Sequence, residues 1–290
     1  TFSSGGDSDI CLALKGDGTL WSWGKNNDGG LGLNEQGPSS LKSSPTQIPG
    51  TWTSHSSRGN YHKFAIKSGK LYSWGQNSEG ELGQNNTVKY SSPTQIGTGT
   101  DWASVDGLDN AGGAAIKTDG TLWVWGRNNM GQLGLNYVVA EPGGVSSPTQ
   151  IPGTTWSKVQ GSYLMGMGLK TDGTLWSWGS NLRGQLGQNS PNPAPYLGGF
   201  SSPVQIPGTW SDFNAGGAGY GLKSDGTIWA WGNNQNGPLG QNENGNRISS
   251  PTQIGTDTTW SKIVGSTYGL KTDGTFWAWG FNTTGKQGLN

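Results

Sequence analysis

Six Trp-Gly dipeptides, led by Trp23, Trp74, Trp125, Trp178, Trp231 and Trp279, stand 51, 51, 53, 53 and 48 residues apart. In every copy an Asn follows two places after that Gly, at Asn26, Asn77, Asn128, Asn181, Asn234 and Asn282, and a further Gly stands three beyond the Asn. A period of this size marks a repeat architecture, in which each unit is too small to bury a core alone and must stack on its neighbours. The six tryptophans and six asparagines are therefore read as structural residues.

The clearest copy, residues 171–189, has the grammar of a strand between two turns. Asp172-Gly173 is a hairpin dipeptide, which predicts a two-residue turn with both residues at positive φ. In Leu175-Trp176-Ser177-Trp178 the period is two, so both indoles share one sheet face and Leu175 and Ser177 the other. The Gly179, Asn181, Gly184 and Leu186-Gly187 that follow predict a tight turn ending on one buried leucine.

A second element, Pro-x-Gln-Ile, precedes another Trp in each later copy: Pro45 with Trp52, Pro93 with Trp102, Pro148 with Trp156, Pro203 with Trp210 and Pro251 with Trp260. These five and the eleven of the Trp-Gly strands account for all 16 tryptophans, so none is spare for a special site. Each repeat then supplies four short strands, read in the order Pro-Thr-Gln-Ile, Trp-Ser-Lys-Val, Gly-Leu-Lys and Trp-Ser-Trp. That predicts an all-β fold, a single β-propeller domain over residues 1–290 built of four-stranded antiparallel blades. Six blades are expected, or seven if one lies outside the chain.

Composition narrows the function. Charged residues make up 12%, with 18 basic and 18 acidic side chains and a net charge of zero. Such a surface gives little attraction for a phosphate backbone, so no nucleic acid partner is expected. No apolar run reaches a membrane span, and no membrane insertion is expected. With His55 and His62 as the only histidines and Cys11 as the only cysteine, a histidine triad, a zinc site and an internal disulfide have no residues to build them. The recurrent Asp17, Asp119, Asp172, Asp225 and Asp273 are explained by turn geometry rather than as calcium ligands. No catalytic residue, cofactor or metal is expected.

Between the repeats the connectors vary in length, at 35–42, 86–90, 137–145, 190–200 and 243–248, and being equivalent they should emerge on one face. Candidate partner contacts there are Tyr90, Tyr137, Pro191, Pro195, Tyr196, Phe200 and Arg247. Gln287, where the other copies carry Leu, marks a cap or partner-facing edge. The chain opens at the second strand of a repeat, and Asn290 falls where another Pro-Thr-Gln-Ile is expected. Protein partners in a larger assembly are the leading expectation. Glycans gripped by exposed indoles are the alternative.

The pattern Asp-Gly-Thr-Leu-Trp-x-Trp-Gly-x-Asn-x-x-Gly-x-Leu-Gly, preceded by Gly-x-x-x-x-x-x-Leu-Lys, resembles the repeat of the regulator of chromosome condensation family over essentially the whole chain. The resemblance implies a β-propeller, typically of seven blades. It also implies, from the founding members, action on chromatin and nucleotide exchange on a small GTPase. Only His62 matches the His that family repeats often carry before their Ala-Leu strand, and no basic tail for chromatin is present. The near-identical, charge-poor copies look more like prokaryotic or phage-encoded relatives, which places the expected role in an extracellular, cell-surface or virion structure.

Overall fold

The computed structural model describes residues 2–4, 10–56, 58–109, 111–141, 143–162, 164–189, 199–243, 245 and 247–280. Its strands form six antiparallel sheets, each a meander in chain order. The first holds β1 (Phe2–Ser4), β2 (Ile10–Leu14), β3 (Leu20–Gly24) and β4 (Lys42–Ile48). The second holds β5 (Ser54–His55), β6 (His62–Lys67), β7 (Lys70–Gly75) and β8 (Tyr90–Gln95), and the third β9 (Trp102–Gly107), β10 (Gly112–Lys117), β11 (Leu122–Arg127) and β12 (Gly144–Ile151). Next come β13 (Trp156–Ser162), β14 (Met165–Lys170), β15 (Leu175–Ser180) and β16 (Gly199–Ile206), then β17 (Trp210–Ala215), β18 (Ala218–Lys223), β19 (Ile228–Gly232) and β20 (Ile248–Gln253). The sixth sheet has three strands among the described residues, β21 (Trp260–Val264), β22 (Tyr268–Lys271) and β23 (Phe276–Ala278).

The repeat is phased differently from the sequence expectation. Each Pro-x-Gln-Ile strand pairs back onto the Trp-x-Trp strand before it, as with Leu175 opposite Ile206 and Trp176 opposite Gln205, and so closes a blade instead of opening one. The physical reason is the connector, which returns the chain beside the strand it has just left, while the Ile-Pro-Gly turn carries it to the next blade. Proline is tolerated there because the outermost strand needs no outward N–H. The chain accordingly enters at the first strand of a blade.

The hairpin differs too. Lys170 N–H donates to Thr174 O and Gly173 N–H to Lys170 O, which closes a three-residue loop over Thr171, Asp172 and Gly173. Only Gly173 takes a positive φ, 81°. This is a type I turn ending in a left-handed residue. The expected two-residue turn occurs in blade two, where Lys67 faces Lys70 across Ser68 (φ 51°) and Gly69 (φ 71°).

The longer loop releases the Asp carboxylate for other work. Asp172 Oδ1 accepts from Thr174 N at 2.9 Å and Thr174 Oγ1 at 2.7 Å, and Trp176 Nε1 donates to that same Oγ1 at 3.0 Å. The chain repeats at Asp17, Asp119, Asp225 and Asp273. The Thr hydrogen bonds hold all five carboxyls below the usual carboxylate range. On the far side of the outer indole, Lys170 Nζ sits 4.7 Å from the Trp176 ring and 4.9 Å from Trp156. That cation–π seat explains the Lys of Gly-Leu-Lys.

The core lies between blades rather than within them. In one cluster Leu122, Val124, Leu133 and Ile151 of blade three pack on Trp156, Val159 and Trp178 of blade four, all buried. In blades two to six the tryptophan before the Gly locks the seam to the preceding blade: Trp74 donates to Gly30 O, Trp125 to Glu81 O, Trp178 to Gln132 O, Trp231 to Gln185 O and Trp279 to Pro238 O, at 2.9–3.0 Å. Because the acceptor is main chain, its side chain varies freely as Gly, Glu, Gln or Pro. The Gly two places later cannot vary, since a Cβ on Gly187 (φ 67°) would lie 3.0 Å from the Trp231 indole.

Candidate interaction face

In a meander the loop between a blade's first and second strands shares one end with the turn and connector between its third and fourth. The repeated asparagine builds that turn. Asn128 Oδ1 accepts from Leu133 N at 3.1 Å, and its Nδ2 donates to Tyr137 O at 2.8 Å, so one side chain fixes the turn and holds down the connector. Asn26, Asn77 and Asn234 do both in their copies. Asn181 accepts from Leu186 N. Asn282 lies outside the described residues.

The loops toward the axis carry the least expected side chain. Arg58, in the loop before β6, reaches two blades beyond its neighbour. Its Nη1 donates to Gly161 O of blade four at 3.1 Å and to Ala215 O of blade five, and its Nη2 to Asn214 Oδ1 at 3.3 Å. Beside it Lys63 is 3% exposed and donates to Gly59 O. Burial pulls its ammonium down to about 8. His62, equally buried, is pulled down to about 4 by desolvation, and its Nε2 bonds Gly112 O at 3.0 Å. The imidazole is a neutral strut, not a proton shuttle.

Neither Arg58 nor Lys63 was singled out from sequence. The one available signal was that Lys63 occupies the place of Gly113, Gly166 and Gly219, glycines on which the seam tryptophans lie directly.

The candidate partner residues fall unevenly. Tyr137 is exposed at the head of its connector, and Phe200 is exposed where β16 begins. Tyr90 is half-buried, its hydroxyl accepting from Asn86 Nδ2 at 3.1 Å. Arg247 is exposed and spends one N–H on Leu182 O at 2.8 Å. Pro191, Pro195, Tyr196 and Gln287 lie outside the described residues. Leu41, Val88, Val138 and Tyr61 join Tyr137 and Phe200 at this end as exposed apolar side chains. Of the structural tryptophans, Trp74, Trp125, Trp178 and Trp231 are buried, and Trp23 and Trp279 are half-buried.

Of the outer indoles that a saccharide would need, Trp21, Trp123, Trp176 and Trp229 are half-buried and Trp277 is exposed. Each gives its N–H to a Thr hydroxyl and carries a lysine over its ring. Two clefts of 440 and 460 Å³ between the first three blades are lined by such rings, Trp52 with Tyr72 and Trp102 with Trp123, and already hold Lys67 and Lys117.

The regulator of chromosome condensation (RCC1) repeat matches residues 17–66, 68–106, 119–162, 172–217 and 225–269. The chain belongs to this family. Among RCC1-repeat relatives, the ultraviolet-B receptor UVR8 of Arabidopsis thaliana is 28% identical over 83% of this chain and 55% of its own length. The human E3 ubiquitin-protein ligase HERC2 is 26% identical over 84% of this chain and 5% of its own. The chain thus spans about half of the receptor and a small part of the ligase. Yeast RCC1 (Prp20), solved bound to Kap60, superposes with a TM-score of 0.78 at 20% identity, over 100% of this chain and 71% of that one, which establishes the propeller fold. These relatives come from plant, human and yeast, so the expectation of a prokaryotic or phage-like branch is not upheld.

Proposed function

We propose that this RCC1-repeat propeller is a protein-interaction module that holds its partner on the connector face. One observation carries the reading: of nine large apolar side chains exposed among the described residues, seven (Leu41, Tyr61, Val88, Tyr137, Val138, Phe200 and Val264) stand at that end. Exposed apolar side chains gathered on one face are the mark of a binding surface. Leu41, Val88, Tyr137 and Val138 sit on connectors pinned by Asn26, Asn77 and Asn128, so little ordering cost is left for binding there. The kinship supports the reading, since yeast RCC1 was solved with a protein bound.

No catalytic step is assigned to these residues. The ligase activity in the name of HERC2 belongs to a protein of which this chain matches 5%. An extracellular or virion setting has no support among the relatives, and the proposal stops at the interaction role. The zero net charge disfavours a chromatin contact through phosphates and leaves one through protein open.

A photo-crosslinking amino acid placed at Tyr137 or Val88 should capture a partner in extracts of the source cells, while one at Thr171 on the hairpin end should not. Equal capture from both ends would defeat the reading. The second reading, regulation of a small GTPase, follows from the family's founding members. It requires that the chain accelerate release of a fluorescent nucleotide from a GTPase of the same source, and unchanged release would remove it.

A further inference from the structure

Blade two breaks the repeat at its hairpin, and the break leaves a lysine without the partners its counterparts have. In the other five blades the second strand runs into Lys-x-Asp-Gly-Thr, whereas in blade two Lys67 is followed by Ser68, Gly69 and Lys70. The exchange removes an acid and a Thr hydroxyl and adds a base. Lys117, Lys170, Lys223 and Lys271 each sit over two indoles, at 3.7–5.3 Å. Each also has a carboxylate nearby. Lys117 pairs with Asp101 at 3.1 Å and Lys271 with Asp257 at 2.8 Å, while the charges of Lys170 and Lys223 help to lower the carboxyls of Asp172 and Asp225. Lys67 has one ring, Trp52 at 5.8 Å, and no hydrogen bond or ion pair among the described residues.

Two further donors stand beside it. Tyr72 takes the place of the outer indole, but Lys70 stands where the other blades have the accepting Thr, and the Tyr72 hydroxyl has no hydrogen-bond partner among the described residues. Trp52 is 3% exposed, and its indole Nε1 has no acceptor. That orphaned N–H recurs at Trp102, Trp156, Trp210 and Trp260, so what is particular to blade two is its company. Trp52, Lys67 and Tyr72 together line the 440 Å³ cleft between the outer strands β4 and β8, with Leu33, Ile48 and Pro49 as apolar walls. The Trp52 and Tyr72 rings meet there edge to face, with centroids 5.4 Å apart. The other two charged side chains of the lining, Glu35 and Lys42, pair with each other at 2.8 Å. In the matching 460 Å³ cleft of blade three, Asp101 holds Lys117 and Thr121 takes the Trp123 N–H.

We infer that the cleft between blades one and two binds a small organic carboxylate with a flat apolar body of one or two rings. Lys67 supplies the one charge on the lining that nothing in the described chain answers, and the Tyr72 hydroxyl and the Trp52 N–H supply neutral donors to the same anion. Hydrogen bonds to an ionised acceptor are about twice as strong as neutral ones, so the charge sets the preference. A buried N–H without an acceptor is costly, and a ligand oxygen brought to Trp52 recovers what the fold leaves unmade. The flat body lies against Leu33, Ile48 and Pro49, in a volume of ordinary size for a small-molecule site. The cleft shares no residue with the exposed apolar side chains of the connector face and stands without that reading.

The test is an NMR titration of the tryptophan indole N–H signals with benzoate, cinnamate and 2-naphthoate. Saturable movement of the Trp52 signal is expected, with 2-naphthoate reaching a Kd of about 1 mM or tighter. The uncharged 2-naphthamide should bind about tenfold more weakly or worse. Lys67→Met keeps an unbranched stem and loses no hydrogen bond or ion pair of the free chain, so it should fold and weaken the acid by about tenfold while leaving the amide unchanged. Lys117→Met, in the next cleft, should leave the acid's affinity unchanged. No saturation by any of the three acids up to about 10 mM, equal binding of acid and amide, or equal losses from the two Met variants would overturn the inference. Equal saturation by inorganic phosphate, which has no flat body, would overturn it too. So would tighter binding of a peptide ending in Phe with a free carboxylate, because the occupant would then be a protein.

Discussion

The indole N–H of Trp178 donates to the main-chain oxygen of Gln132 in the preceding blade, 3.0 Å away and buried from water. A buried carbonyl stripped of its donor costs about 1–3 kcal/mol, and the smaller ring would leave a gap in the seam. Trp178→Phe should therefore lower the unfolding free energy by about 2–4 kcal/mol in urea titration. Trp176→Phe, which loses a half-exposed bond to Thr174, should cost about 0.5–1.5 kcal/mol. Equal losses would mean that the seam bond is not what joins the blades.

That seam was legible in outline. The alternation in Leu-Trp-Ser-Trp places both indoles on one face, and the six copies correspond to the six sheets among the described residues. The blade's phase was not legible, because Pro-x-Gln-Ile lies between two Trp-Gly strands and periodicity along a line cannot tell which one it joins. Asp-Gly alone predicts a two-residue turn, but the loop takes in Thr171 as its first residue. Arg58 gave no signal at all, since its acceptors Gly161 and Ala215 lie 103 and 157 positions away. Distant main-chain acceptors leave no residue pattern to recognise.

Asn128 joins a turn to a connector, and its two bonds can be separated. Asn128→Asp keeps the oxygen that accepts from Leu133 N but sets a second oxygen against Tyr137 O, where an N–H had been. The turn should hold while the connector lifts. Limited proteolysis within 137–145 should become several-fold faster, with a loss of stability of about 1–2 kcal/mol. Asn128→Ala should lose both bonds and destabilise further. If Asp and Ala behaved alike in both measurements, the Asn would not be holding the connector.

The buried pair at the start of β6 predicts two pH windows. His62 titrates at about 4 when folded, against an ordinary 6.5. Between those values the unfolded chain takes the proton first, so stability falls as pH drops from 6.5 toward 4. Lys63 titrates at about 8 when folded, against 10.5. There the folded chain loses its proton first, and stability rises as pH climbs from 8 to 10.5. In urea midpoints measured across pH, His62→Gln should flatten the acid limb alone and Lys63→Met the alkaline limb alone. A slope left unchanged by its own substitution would place the titration elsewhere.

Arg58 ties blade two to blades four and five across the axis, and its guanidinium is the described link that skips a blade. Neighbouring blades are already joined by tryptophan seams, so removing Arg58 should loosen the axis without parting any adjacent pair. Hydrogen bonds from a charged donor are worth about 1.5–3 kcal/mol each at most, and solvent reaching a half-buried side chain reduces that. Arg58→Ala should therefore cost about 1–3 kcal/mol overall. Its more specific mark is hydrogen exchange, which should quicken around Gly161 and Ala215 while the seam at Trp178 stays protected. Arg58→Lys, a single point charge without the planar fork, should reach one acceptor and restore part of the protection. Uniform loss across all blades would show instead that the ring unfolds as one unit and that Arg58 contributes only to its total stability.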